Sequence, residues 1–455
     1  QITRVHIFLE ELEGKDVRVT GGASAPMDAG RNQPIVQTFT TSLGEAHVSR
    51  PHFSRPSIQD ARYTVADPST MPLPALAPAL EVVARYEVAG VQAEIRRPVM
   101  RLESNLPYGY DQRTLAVVPA IAVSLSPSSA IVVIDATQKT VTLRAEVLNN
   151  REGKSDGVLT LKIPPGWTVA PAAQPFALAR AGERAFYQFQ VRAATVDHRV
   201  ARIEAVAESG GREYREGYTT IRHRDLETRY LYKDAVTTVR GVDVRIAPGL
   251  RVGYVMGIGD DVPAGIAQLG ADVQLLGEQD LATGDLSRFG AIVTGTRAYA
   301  VRSDLRTYNR RLLDYVEAGG NLIVLYNTQE LVPKLYAPYP GDLPANAEEV
   351  SEEDSPVEFL SPDASVLTTP NRITRDDFSG WVEQRGSKFW TTWDSRYTPM
   401  IATWDKGQAP QQGGWLQAQY GKGHYTYVAY AFHRQLPYGV PGAYRLLANL
   451  LSIGR

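Results

Sequence analysis

Arg251-Val-Gly-Tyr-Val-Met256, Ala291-Ile-Val-Thr-Gly295 and Asn321-Leu-Ile-Val-Leu-Tyr326 decide the fold of the C-terminal part of this 455-residue chain. Each is a short, nearly continuous apolar run, as a strand covered on both faces requires. Helical patterns lie between them. Val262, Ile266 and Leu269 share one stripe, and Leu305, Tyr308, Leu312 and Val316 share another along a helix from Asp304 to about Ala318. Ser303 stands where that helix needs a cap, and Gly319-Gly320 where it needs a stop. Strand and helix in alternation mark parallel strands joined by crossover helices. Strands resume at Met400-Ile-Ala-Thr-Trp404 and in a hairpin, Gly414 to Tyr420 and His424 to Tyr430, turned at Gly421-Lys-Gly423. A helix from Ala443 to Leu451 closes an α/β domain expected over 251–455, with an acidic, proline-rich inserted loop over 328–375.

Class I glutamine amidotransferases, flavodoxin-like in their α/β layering, are built this way and use a cysteine nucleophile. This chain has no cysteine. The expected position of a nucleophile elbow, Leu325-Tyr326-Asn327-Thr328, holds no Ser or Cys flanked by glycines, and Thr328 has no adjacent base in sequence. No catalytic residue is assigned. Gly257-Ile-Gly-Asp-Asp261 sits where a phosphate loop would lie, but a phosphate needs bare N–H groups there. Asp260 and Asp261 would repel an anion and suit the helix dipole, so capping is the expected role.

Upstream the pattern switches to period two. Leu80, Val82, Ala84, Tyr86 and Val88 alternate, then Ala89-Gly90 turns the chain into Val91-Gln-Ala-Glu-Ile95, a hairpin. Arg50 to Pro56 and the proline-rich Met71 to Pro78 read as extended loop, since proline denies a ladder its donors. A β-sandwich is expected over 1–127. A second, Ig-like, is expected over 128–224, from the alternation of Val141, Leu143, Ala145 and Val147, of Leu159, Leu161 and Ile163, and of Ala185, Tyr187, Phe189 and Val191. Trp167 is read as a plug between its sheets. Residues 225–250, opening on the charged His223 to Arg229, are expected to be a linker. The fold class is thus multidomain β plus α/β: two sandwiches, then an amidotransferase-like domain.

Composition narrows the function. The hydrophobic fraction of 43% and charged fraction of 22% are globular values. A net charge of −2 provides no basic field for nucleic acid or acidic membrane. No apolar run approaches the roughly 18–20 residues that cross a bilayer. The absence of cysteine excludes disulfides and thiolate metal sites and suits a secreted or periplasmic protein. The chain opens on Gln1 without a start methionine or signal peptide, as expected of a piece of a larger protein.

Five of the six tryptophans fall at 381, 390, 393, 404 and 415, interleaved with Phe389, Tyr397 and Tyr420. Two readings stand. The rings fill a core or a seam between domains, where Trp and Tyr contribute large buried area. Alternatively Trp381, Trp390, Trp393, Tyr397 and Trp415, with Asp394, His424, His433 and Arg434, line a surface on which sugar rings stack. His424 and His433 lie on or beside neighbouring strands and lack a third ligand in register, so no metal site is assigned and a hydrogen-bonding role is expected. The acidic run Glu348-Glu-Val-Ser-Glu-Glu-Asp354 reads as solvated loop.

At Phe378-Ser-Gly-Trp-Val-Glu-Gln-Arg-Gly386, Trp393-Asp-Ser-Arg-Tyr-Thr-Pro399 and Phe432 to Leu446, the sequence resembles the C-terminal region of large bacterial PIG-L family deacetylases. Ala247 to Met256 and Arg297 to Leu305 are similar too. The resemblance implies a zinc-dependent de-N-acetylase domain preceding sandwiches of the type attached to α-galactosidases and an amidotransferase-like domain lacking its nucleophile. The family's His-Pro-Asp-Asp signature is absent from this chain, so no catalytic residue or zinc ligand carries over. The resemblance implies a non-catalytic accessory region whose partner is its own deacetylase domain, with glycans and a homo-oligomer as further partners. A hydrolase using His424 or His433 with Asp394, and a self-assembling extracellular structural protein, are the alternatives.

Overall fold

The computed structural model describes residues 2–11, 17–20, 40–43, 48–55, 57, 60–73, 78, 80–223 and 226–455, the first three segments as backbone only. The chain is β-rich, with several separate sheets.

The three apolar runs become neighbours in a seven-stranded sheet. In space its order is Asp272–Leu275, Arg251–Val255, Ala291–Thr294, Asn321–Leu325, Gly423–Val428, Trp415–Tyr420 and Thr398–Pro399. The first five strands are mutually parallel, and Trp415–Tyr420 returns antiparallel as the expected hairpin. All residues of Ala291–Thr294 and Asn321–Leu325 are buried, which is why these runs carry no polar alternation. Val262–Gln268 and Ser303–Glu317 turn Val262, Ile266, Leu305, Leu312 and Val316 into the core. Ser303 is the first helical residue rather than the cap. Arg302 holds the cap position, its guanidinium Nε donating to Asp304 Oδ1 at 2.8 Å. The closing helix runs Pro441–Leu451 and is almost wholly buried.

The insertion over 328–375 is not a free loop. Gly341–Asp342, Glu349–Val350 and Val357–Phe359 each pair with a strand from the 386–403 region. Leu331, Leu343, Val350, Val366 and Leu367 join the core under the sheet. Single apolar residues among prolines and acids show no period, so this packed cap looks like loop in sequence.

The sandwich pairs two sheets. One is Ile121–Ser126, Thr140–Asn149, Arg184–Arg192 and Thr168–Ala170; the other runs Ser129–Val133, Val236–Val242, Val200–Ser209, Ser155–Lys162 and Ala173–Leu178. Leu143, Val147, Leu159, Phe189, Val191 and Ile203 fill the space between, and Trp167 packs half-buried against them. It therefore opens at Ile121, before 128, and extends past 224. The expected linker 225–250 contains Arg229–Asp234 and Val236–Val242. Val236–Val242 is a central strand, parallel to Ser129–Val133 and antiparallel to Val200–Ser209.

Toward the N-terminus Ile2–Glu11, Leu80–Val88 and Val91–Pro98 form one antiparallel sheet that includes the expected hairpin. Within the sandwich expected over 1–127, residues 12–16 and 21–39 lie outside the described residues, as do 74–77 of the proline-rich stretch and 224–225 of the charged connector. Among the described residues two hydrophobic cores result, one in the sandwich and a larger one in the α/β part. Ile131 of the sandwich belongs to the larger core, and its N–H donates to Gln268 Oε1 at 2.8 Å.

Candidate functional site

Arg251–Val255 comes first in the parallel sheet, yet strands added later lie on both of its sides. The loops leaving it and Ala291–Thr294 therefore diverge at a topological switch point, where open α/β sheets bind ligands. Here the two loops close on each other. A Cβ on Gly257 would lie 1.9 Å from the Thr296 carbonyl oxygen, so glycine permits backbone to meet backbone. Ile258 N–H donates to that oxygen at 3.1 Å. Asp260 ties the junction: its carboxylate accepts from Tyr254 Oη at 2.7 Å, from Val262 N at 3.2 Å and from Thr296 N at 3.1 Å. Asp260 thus caps the helix start and also binds the neighbouring loop. Asp261, at the N-cap, makes no side-chain cap bond.

The turn after Ala291–Thr294 is sharp and passes through the left-handed region. Gly295-Thr296-Arg297 passes from strand to the short helix Ala298–Val301, with Arg297 at φ 54°, ψ 28°. A left-handed non-glycine residue between strand and helix is the strained turn that lifts a nucleophile above an α/β sheet. This left-handed strand-to-helix turn is one strand earlier than the expected 325–328, and it carries arginine. The loop after Asn321–Leu325 supports it: Tyr326 O accepts from Arg297 N at 2.8 Å, and Asn327 Oδ1 accepts from Tyr299 N at 2.9 Å. Thr328 donates its hydroxyl to Glu330. That bond holds the Glu330 carboxyl below its usual range against the effect of burial, aided by the charges of Arg297 and Arg306. A sequence signal existed in Gly295-Thr-Arg-Ala-Tyr299 after an apolar run, but it lacks the nucleophile and the second glycine by which elbows are found.

His433 stacks on Tyr326 at 5.8 Å between ring centroids. Burial pushes its imidazole below the ordinary value, partly opposed by the Asp260 charge. Arg434 pairs with Glu383. His424, also lowered by burial, is the second residue of the strand Gly423–Val428, whose far end leads to His433. At about 3.3 Å per residue the two histidines stand toward opposite ends of that strand. Asp394 is elsewhere again, gripped by Arg396 at 2.7 and 2.8 Å and held at about 2 chiefly by those bonds. The structure does not bring His424, His433 and Asp394 together.

The aromatic surface is corrected by burial. Trp381, Trp390 and Trp415 are 1%, 2% and 1% exposed and Tyr397 3%, so their faces are occupied by protein and cannot stack on a sugar. Trp381 lies on Phe378 and donates Nε1–H to Asp377 O at 3.0 Å; Tyr397 Oη donates to Tyr339 O at 3.0 Å. Trp393 and Trp404 remain half-buried.

Trp404 borders a cavity of about 750 Å³ whose walls include Phe378, Trp381, Arg385 and the acidic segment 353–358. The acidic run Glu348–Asp354 is exposed at most of its positions, as a solvated loop would be, but its backbone is pinned. Asp405 accepts from Ser351 N, Ser351 Oγ, Glu352 N and Ser355 Oγ at 2.8–3.0 Å. Burial raises the Asp405 carboxyl, but these bonds outweigh it and hold it low. Arg385, 4% exposed, braces the same wall by donating to Ser355 O and Phe378 O while lying 5.5 Å from the Trp381 ring. Burial lowers its guanidinium to about 10.

Among the described residues no group of three or more His, Asp or Glu is placed to hold a metal ion, and no helix is long and apolar enough to cross a membrane.

No family model and no curated protein matches the chain. Among solved structures it is similar to a cold-adapted β-galactosidase from Rahnella sp. R3, at 15% identity over 46% of this chain and 31% of that one, TM-score 0.27. It is similar to a catalytic mutant of the GH42 β-galactosidase Gan42B from G. stearothermophilus, at 16% identity over 42% and 29%, TM-score 0.24. Salmonella α2-macroglobulin follows at 12% identity over 48% and 11%, TM-score 0.20. The chain thus spans less than a third of the length of each of these. Likenesses at these scores carry no inference of activity.

Proposed function

We propose that the chain is a non-catalytic accessory region of a PIG-L-type zinc-dependent deacetylase acting on N-acetylated sugars or glycoconjugates, outside the cytoplasm. In this reading its α/β part is an amidotransferase-like, flavodoxin-like domain and its sandwich an Ig-like module. The observation that carries the proposal is Arg297 at the left-handed position of the strand-to-helix turn. The guanidinium there is no nucleophile, and the geometry that would serve acyl transfer serves as a rigid loop junction. The segments that resemble the family support it too, because they pack on one another. Val382 N–H donates to Gln435 Oε1 at 2.8 Å, and Arg445 Nε donates to Asp377 Oδ1 at 2.7 Å next to Phe378. Without a His-Pro-Asp-Asp sequence this chain holds no zinc step; the metal and its chemistry belong to the deacetylase domain.

The coding sequence upstream of Gln1 is expected to encode a His-Pro-Asp-Asp motif. The chain alone is expected to show no turnover of nitrophenyl esters, glutamine or N-acetylglucosamine oligomers. Turnover that His433→Ala abolishes would establish a hydrolase at the sheet edge and overturn the proposal.

A further inference from the structure

We infer that the cavity beside Trp404 is a binding site for a neutral or amine-bearing saccharide. Three features of the cavity suit hydroxyl-rich recognition: its build, its chemistry and its charge.

The first is its build. At about 750 Å³ it lies within the roughly 300–1,000 Å³ of small-molecule sites. Its acidic wall is pinned by Asp405, and Arg385 ties that wall to the Phe378 carbonyl. A site held this way loses little freedom on binding. The second is chemistry. Trp404, half-buried on the lining, offers an indole as an apolar face for sugar C–H groups with a polar N–H at its edge. The side chains of Asp354, Glu358 and Arg375 are exposed on the lining and make no side-chain hydrogen bond or close ion pair among the described residues, the Asp354 charge acting on Arg385 only at longer range. They are available as acceptors and donors for hydroxyls. The third is charge. Glu353, Asp354 and Glu358 outnumber Arg375 and Arg385 on the lining, which disfavours a uronic acid and favours an amine.

The inference rests on the deacetylase reading only in the choice of probes. The full chain is titrated calorimetrically with chitotetraose, its fully de-N-acetylated counterpart, cellotetraose and tetragalacturonate. Saturable binding of the chitotetraose pair is expected, tighter for the amine-bearing member. Trp404→Ala should weaken it about tenfold, and D354N/E358Q should abolish the preference for the amine. Trp393→Ala, a half-buried tryptophan away from the cavity lining, should leave binding unchanged. Circular dichroism melting verifies that each variant folds. No saturable binding of any probe at millimolar concentration, binding that survives Trp404→Ala in full, or equal binding of tetragalacturonate overturns the site. Binding of cellotetraose alone supports the cavity and counts against the deacetylase reading, so the two failures are distinguishable.

Discussion

Arg297 shows what one residue's backbone contributes. At φ 54° its Cβ crowds the following carbonyl, a cost of roughly 1–2 kcal/mol that the surrounding loops must offset. Tyr326 O and the buried Asn327 supply that restraint. Arg297→Gly is expected to match or exceed the parent in urea unfolding. Arg297→Val should fall below Arg297→Gly by at least about 1 kcal/mol, because a β-branched residue tolerates this region worst. Equal stability of the two variants would show that the turn is not held left-handed.

The histidines give a pH signature at the same scale. Burial depresses both His433 and His424 in the folded state. Their stability contribution is complete above the unfolded-state value of about 6.5 and is lost as pH falls through the lower folded values. Melting temperature should therefore decline on acidification from neutrality, before the carboxylates titrate. Asp394, held at about 2, acts only in a more acidic window below its ordinary value of 3.8. His433→Gln should flatten the first decline and leave the second. An unchanged profile would place the titrating groups elsewhere.

Among elements, the closing helix Pro441–Leu451 depends on a close approach. A Cβ on Gly442 would lie 1.7 Å from the Asp377 carbonyl oxygen, a backbone atom that cannot swing away. Gly442→Ala is expected to cost about 2–3 kcal/mol, read from denaturant midpoints; a loss near zero would mean that the helix can slide from the Arg375–Phe378 turn. The helices and the parallel strands were legible because a period of 3.6 and unbroken apolar runs are local consequences of burial. The insertion was not. Leu331, Leu343 and Val350 are isolated buried anchors, and no period links them. Val236–Val242 was missed for a related reason: its buried positions include Thr237 and Gly241, so the sequence shows no apolar alternation, and only its partner strands make it central.

At the scale of the whole molecule, the two cores meet through Ile131 and Gln268. Calorimetry should resolve separable sandwich and α/β transitions. Leu143→Ala should lower the sandwich transition and Ile323→Ala the α/β transition, each by about 2–5 kcal/mol in stability. Ile131→Ala should lower both; an effect on one alone would show that the junction transmits nothing.

The same scale separates what was local from what was not. Residue order by itself determined the parallel α/β core, its lack of a thiol and the alternating strands of the sandwich, since each follows from periodicity or composition. Tertiary structure decided which tryptophans face solvent, because Trp390 and Trp404 differ in neighbours rather than in sequence character. It also decided where the left-handed turn lies, since Arg297 is held there by hydrogen bonds to the loop after Asn321–Leu325. The acidic run became a cavity wall for the same reason: Asp405, about fifty residues away in the chain, supplies the acceptors that its backbone requires.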